Sequence, residues 1–345
     1  MKIATIGLDL AKNVFQVHGV DPRGVPVLRK QLKRIQVLPF FATLEPCLVG
    51  MEACCGAHFW ARKLQAYGHT VKLIAPQFVK PYVKSNKNDA ADAEAICEAV
   101  SRPNMRFVPV KSVEQQAILA LHRVRQGFVT ARTAHANQIR SLLAEYGLVV
   151  PQGIHHLHQD VPDLLEDASN ELPGVFRQLV MRQLDYLREL DHQVQLLEAQ
   201  IKTWHRENEA SRRLAQIPGV GPITATALVA SVGDARCFAS GRQLAAWIGL
   251  VPRQHSSGGK QVLLGIGKRG DAYLRCLLVH GARAVISAVR QKDGTSTSWL
   301  GRLLARRHTN IATVALANRN ARIAWALLAH HREFCSDYGR AAPVV

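Results

Sequence analysis

The stretch KIATIGLDLAKNVFQVHGVD, residues 2–21, sets two short apolar runs on either side of a polar Ala-Lys-Asn. Each run is rich in apolar, β-branched and aromatic residues and is too short for a helix face. Together they read as two β-strands around a tight turn. The first strand carries a carboxylate, Asp9, among apolar neighbours. An acid in such a place is costly unless it meets a cation.

Working outward, PCLVGMEA (46–53) reads as a buried strand running into a helix, with Glu52 at its end, and HTVKLIAP (69–76) as another strand ending at Pro76. NDAADAEAICEAV (88–100) is Ala-rich with acids in its first turns, which marks a helix N-terminus. Strands alternating with helices predict an α/β domain over residues 1–108.

Residues 109–215 are expected to be helical. The run 111–146 is helical in composition and stopped by Gly147 and Pro151, whereas 152–173, rich in His, Asp and Pro, reads as irregular. A second long helix is expected from Val175 to Ala215. Within it Leu187, Leu190, Val194, Leu197, Ile201 and Trp204 form an a/d seam, packing either within one chain as an antiparallel arm or between chains as a dimerising coiled coil.

The last third, 216–345, forms a basic module. It holds 17 Lys and Arg against 5 Asp and Glu, in a chain of 345 residues with formal net charge +18. That asymmetry points to a polyanion, foremost nucleic acid. At its start IPGVGP (217–222) resembles a helix-hairpin-helix turn, where Gly219 and Gly221 would let backbone N–H groups approach a phosphate. No uninterrupted run of eighteen apolar residues occurs, so no membrane span is expected. The N-terminus lacks a signal-peptide pattern, and the seven cysteines form no CxxC pair; they read as reduced thiols of a cytoplasmic protein. His155, His156 and His158 have no cysteine or carboxylate at ligand spacing and read as a solvated loop rather than a metal site.

Four acids have a collective reading. Asp9 lies in the first strand, Glu52 after a central strand, and Asp89 and Asp92 three apart on one helix face. Each alone is explicable as a cap or a helix-dipole residue. Together they converge as hard oxygen ligands for Mg²⁺ or Mn²⁺ in the manner of a ribonuclease-H-like, RuvC-like metal nuclease.

The motifs IGLDLAKNVFQVHGVD, GMEACCGAHFW, KNDAADAEAI, IPGVGPITATALVASVGD, LAAWIGLVPRQHSSGGK and GKRGDAYLRCLLVHGARA occur in that order from Ile6 to Ala284. In this the chain resembles bacterial insertion-sequence transposases of the DEDD type, the insertion-sequence-110 family and its 1111-like branch. The resemblance implies a RuvC-like domain holding Asp9, Glu52, Asp89 and Asp92, a helical coiled-coil region, and a C-terminal transposase domain with a nucleophilic serine. That serine falls on Ser256 or Ser257. The resemblance further implies recombination of donor and target DNA, a non-coding guide RNA (bridge or seek RNA) and a homo-oligomer, a dimer or tetramer, working near the bacterial nucleoid. The family's I-S-K-R-G pattern reads IGKRG here, with Gly267 in the serine's place.

Around the serines, Arg253, Lys260, Lys268, Arg269 and Arg275 are expected to hold the scissile and flanking phosphates. Arg302, Arg306 and Arg307 are expected to contact a nucleic-acid backbone. A rival reading keeps the acids but leaves the serines idle: a junction nuclease that hydrolyses DNA with no covalent intermediate.

Overall fold

The computed structural model describes residues 2–84, 88–291 and 298–335. The chain divides into two units, at Val113 and Glu114.

The first unit is built on a six-stranded sheet. In chain order its strands are β1 (Thr5–Leu10), β2 (Val14–Val20), β3 (Pro26–Lys33), β4 (Leu48–Glu52), β5 (Thr70–Ile74) and β6 (Phe107–Val108), arranged β3-β2-β1-β4-β5-β6. β1, β4 and β5 are parallel; β2, β3 and β6 pair antiparallel with their neighbours. Its helices are α1 (Val37–Ala42), α2 (Ala57–Ala66), α3 (Pro76–Val79) and α4 (Asp89–Val100). Ile6, Leu8, Phe15, Val17, Val49 and Met51 fill one core with Trp60 and Leu64 of α2. β3 was not anticipated from sequence: only Leu32 among its eight residues is buried, so it carries no apolar period.

The position of α4 follows from two glycines. A Cβ on Gly7 of β1 would stand 2.0 Å from the Ala93 carbonyl oxygen, and one on Gly50 of β4 would stand 2.8 Å from Val100 Cβ. Only hydrogen at these two sites lets the helix lie against the strands. Asn88 caps α4, its Oδ1 accepting the Ala90 amide at 3.0 Å.

The second unit begins with three helices: α5 (Val113–Ala144), α6 (Ile154–Glu166) and α7 (Gly174–Glu207). Arg125 bonds Glu198 at 2.9 Å, Arg132 bonds Asp191 at 2.7 Å, and His135 meets the Gln183 carbonyl at 3.0 Å. α5 and α7 are therefore antiparallel, and the seam packs within the chain. Leu187, Leu190, Val194 and Ile201 are buried; Leu197 and Trp204 are half-buried.

Two expectations need correction. Residues 152–173 are not irregular throughout, because α6 occupies their centre. Leu157, Val161 and Leu165 at four-residue spacing bury one face of it, and that stripe outweighs its polar composition and Pro162. The three histidines thus stand on a helix, with His156 beside Asp160 and His158 Nε2 2.8 Å from Asp191. Second, the long helix stops at Glu207. Asn208, extended at φ −96° and ψ 111°, caps a separate α8 (Glu209–Leu214) by accepting the Ser211 amide.

Beyond α8 come α9 (Pro222–Val232), α10 (Gly241–Ile248), a hairpin of β7 (Pro252–Gln254) and β8 (Leu263–Ile266), α11 (Ala272–Gln291), α12 (Trp299–Arg306) and α13 (Thr309–His330). Leu228, Leu244, Leu274, Leu278, Ala317 and Ala321 share one buried cluster. Among the described residues α11 alone is long and apolar enough to cross a membrane, with mean hydropathy 1.3. Four of its residues, Leu274, Leu278, Ala282 and Ile286, are buried in the protein core.

Candidate metal centre and serine hairpin

The acids of the first unit gather because of the sheet and the two glycines. Side chains two residues apart in a strand share a face. Asp9 follows Gly7 by two, and Glu52 follows Gly50 by two, so both acids sit on the face that α4 covers. Leu8 pairs with Met51 in the parallel ladder, and the next register step sets Asp9 beside Glu52. α4 starts at this end with Asp89 and Asp92 in its first turn.

One carboxylate oxygen from each of Asp9, Asp89 and Asp92 lies within 4.8 Å of the others. Asp89 is exposed and the other two are half-buried. Glu52 stands beside this trio rather than within it. The neighbourhood is electrostatically shared: burial first, then the charges of Glu52 and Asp9, push the Cys54 thiol above its ordinary value. Carboxylate oxygens from separate elements form a hard donor set that suits Mg²⁺ or Mn²⁺ over a soft ion.

In the second unit the two serines lie in PRQHSSGGK, residues 252–260. It is one arm and the tip of the β7–β8 hairpin. The His255 amide donates to the Val262 carbonyl at 2.9 Å, and Ser257 bridges Lys260, whose amide donates to the Ser257 carbonyl at 3.0 Å. The two residues between them, Gly258 and Gly259, have φ of 55° and 77°. Positive φ at both centres of a two-residue connection is the requirement of a type I′ turn, so the glycines shape a turn rather than merely loosen the chain.

Every residue from Pro252 to Gly265 is exposed, the two serines included. Gln254 Nε2 donates to Ser256 Oγ at 2.9 Å. Ser256 and Ser257, adjacent in an extended segment, face opposite sides.

The base of the hairpin is fastened by hydrogen bonds and close packing. The Gly267 amide donates to the Val251 carbonyl at 2.7 Å and the Lys268 amide to that of Gly249 at 3.3 Å. A Cβ on Gly270 would stand 1.7 Å from the Trp247 carbonyl oxygen. Lys268 has φ 53°, left-handed for a non-glycine residue, which the surrounding contacts impose. Arg275 donates to the carbonyls of Ile248 at 2.7 Å and Arg269 at 3.2 Å, so its guanidinium fastens this base.

Arg253, Lys260, Lys268 and Arg269 are exposed around the hairpin, and Arg302, Arg306 and Arg307 are exposed at the end of α12. In the IPGVGP turn, Gly219 has φ 85° and its close approach is to Gly281 of α11; a Cβ on Gly281 would stand 1.8 Å from the Gly219 carbonyl oxygen. Gly221 faces open space as the N-cap of α9. Gln254 and the paired Gly7 and Gly50 were not singled out from sequence. Gly7 and Gly50 stand in G-x-D at 7–9 and G-x-E at 50–52, a spacing that gains meaning only once the helix that each glycine meets is known.

Residues 6–148 match the IS110-type DEDD transposase family, and residues 211–296 match the family described as Transposase IS116/IS110/IS902. Among similar proteins, the "Probable family 20 transposase" of Pseudomonas aeruginosa is 54% identical, covering 97% of this chain and 99% of its own. The "Transposase for insertion sequence element IS1111A" of Coxiella burnetii is 46% identical over 96% and 91% of the two chains. The "Transposase for insertion sequence element IS1328" of Yersinia enterocolitica is 45% identical over 94% and 96%. The mixed α/β sheet fits a RuvC-like DEDD enzyme, and its acid cluster fits divalent-metal dependence. With identity at this level along nearly the whole chain, the protein belongs to the IS116/IS110/IS902 family of insertion-sequence transposases.

Proposed function

We propose that this transposase cuts and rejoins donor and target DNA through a covalent phosphoserine intermediate, with Asp9, Glu52, Asp89 and Asp92 as metal-binding acids and a non-coding RNA guiding the choice of site. The carrying observation is the hairpin tip: two serines exposed on a preorganised turn, in the basic part of the chain and among Arg253, Lys260 and Lys268.

The serine oxygen attacks phosphorus. An O–P bond forms, the bond from phosphorus to the leaving sugar oxygen breaks, and the proton lost by serine balances the one gained by that oxygen. Attack by a hydroxyl of the second strand reverses the exchange and restores the serine, conserving the phosphodiester energy. Arg253, Lys260, Lys268 and Arg269 bind non-bridging oxygens and neutralise developing charge. Arg302, Arg306 and Arg307 hold the backbone further away, as would the free amide end of α9 at Gly221. Asp9, Glu52, Asp89 and Asp92 would hold a divalent ion, which would supply Lewis-acid stabilisation to a phosphodiester. The protein acts as a homo-oligomer, dimer or tetramer, organised as a RuvC-like domain (1–108), a helical region (109–215) and a basic transposase domain (216–345).

The test is a denaturing gel of labelled DNA incubated with Ser256→Ala and Ser257→Ala separately. One variant should lose the protein–DNA adduct and the other keep it; an adduct persisting in both variants and in the double variant would sink the mechanism. Co-purification of an element-encoded RNA checks the guidance.

A further inference from the structure

One buried titratable group has no part in this chemistry. His122, on α5, is 1% exposed and contacts two other helices. Its Nε2 lies 3.0 Å from Thr226 Oγ1 of α9, and its Nδ1 lies 2.9 Å from the Tyr273 hydroxyl of α11. The proton positions follow from the partners. Thr226 Oγ1 has the helix carbonyls of Pro222 and Ile223 as acceptors, at 2.8 and 3.1 Å, and with its proton directed there it accepts from His122 Nε2–H. Nδ1 is then the acceptor, and Tyr273 donates to it. Arg125 in turn hydrogen-bonds the Tyr273 side chain and Glu198 of α7. The ring is neutral, each of its nitrogens satisfied.

The chain continues toward the hairpin. Tyr273 lies in the first turn of α11, and its amide donates to Asp271 Oδ1 at 2.9 Å. Asp271 directly follows the Lys268-Arg269-Gly270 segment fastened onto the end of α10. Short polar contacts therefore link Glu198 and Arg125, on the two long helices, to Tyr273 and the first turn of α11, which directly follows the base of the serine hairpin.

We infer that the Thr226–His122–Tyr273 bridge is a positioning device that couples the two long helices to the serine hairpin, so that the set of the helices determines where the hairpin points. His122 and Tyr273 are positioning residues, acting through Asp271 and Lys268. The inference rests on the reading of the hairpin as the reacting element, yet its structural half can be tested without any reaction.

The experiment is hydrogen exchange by mass spectrometry on the full-length protein, comparing residues 263–271 with residues 309–330, alongside strand-cleavage kinetics. Tyr273→Phe and Thr226→Val each remove one hydroxyl with little change of shape. Each is expected to speed exchange at 263–271 about tenfold, the effect of losing roughly one hydrogen bond, and to leave 309–330 unchanged. Cleavage kcat should fall by a similar factor with the half-saturating DNA concentration unaltered, and Thr226→Ser, which keeps the hydroxyl, should behave as the parent. Unchanged exchange at 263–271 in both variants would overturn the coupling. So would an equal rise at 309–330, since the bridge would then be ordinary stabilisation. Adduct formation persisting without Ser256 and Ser257 would remove the chemical reading and leave the exchange result interpretable.

Discussion

Asp9 shows how one residue type acquires a role from its surroundings. Its carboxylate sits two residues beyond a strand glycine, on the face of the sheet that receives α4, and meets Asp89 and Asp92 there. Asp9→Asn or Asp92→Asn keeps the shape and removes one charge. Either should lower strand cleavage about 100-fold or more, because a bound metal supplies several kcal/mol to the transition state. Calorimetric titration with Mn²⁺ should show weakened binding in parallel; full-strength binding by both would count against the assignment. Gly7→Ala tests the platform itself. A methyl group there overlaps the Ala93 carbonyl, so α4 must shift, costing about 1–3 kcal/mol and displacing two of the acids. A lowered denaturation midpoint together with lost Mn²⁺ binding is the expected pair of outcomes.

At the level of elements, His122 makes the second unit sensitive to acid. Burial, aided by Arg125, lowers its pKa from 6.5 to about 4. The folded protein therefore keeps the ring neutral where the unfolded chain protonates it. The stabilisation is complete above about pH 6.5 and fades as pH falls toward 4, by up to about 3 kcal/mol. Denaturant titrations at pH 7.5 and 4.5 check this, and His122→Gln should show a smaller loss between the two. Legibility from sequence also divides by element. β1, β4, β5 and α4 were readable because their apolar runs or alanine content agree with their burial. β3 was not, since an edge strand with one buried residue has no period to detect. α6 was hidden by its histidines and Pro162, and only its packing stripe reveals it. The acids were legible as carboxylates out of place in apolar runs. The glycines that gather them were not, because a missing side chain signals close approach only once its neighbour is known.

Across the whole molecule, charge is the property the sequence declares most openly. Residues 216–345 carry 17 of the chain's 44 Lys and Arg but only 5 of its 26 Asp and Glu. Binding to DNA should therefore weaken steeply with salt, log affinity falling linearly against log salt by about 0.9 for each phosphate neutralised. Lys260→Ala and Arg269→Ala should each reduce that slope by about one. Arg275→Ala should act differently: its guanidinium is engaged by the Ile248 and Arg269 carbonyls, so the loss should appear in thermal stability with the slope unchanged. Fluorescence anisotropy at several salt concentrations separates the two behaviours.

The alternation of side chains at the hairpin tip imposes a parity on this part of the gene. Ser256 and Ser257 face opposite sides, and the Gly258-Gly259 turn fixes their distance from the end. Inserting or deleting one residue between Arg253 and Ser256 exchanges the sides the two hydroxyls present, whereas a change of two restores them. Length variation in this strand should consequently be tolerated better in even steps than in odd ones, since an odd step must be absorbed by a bulge such as the register shift between Pro252 and Gln254, and a small library of insertions can read the difference from survival of transposition.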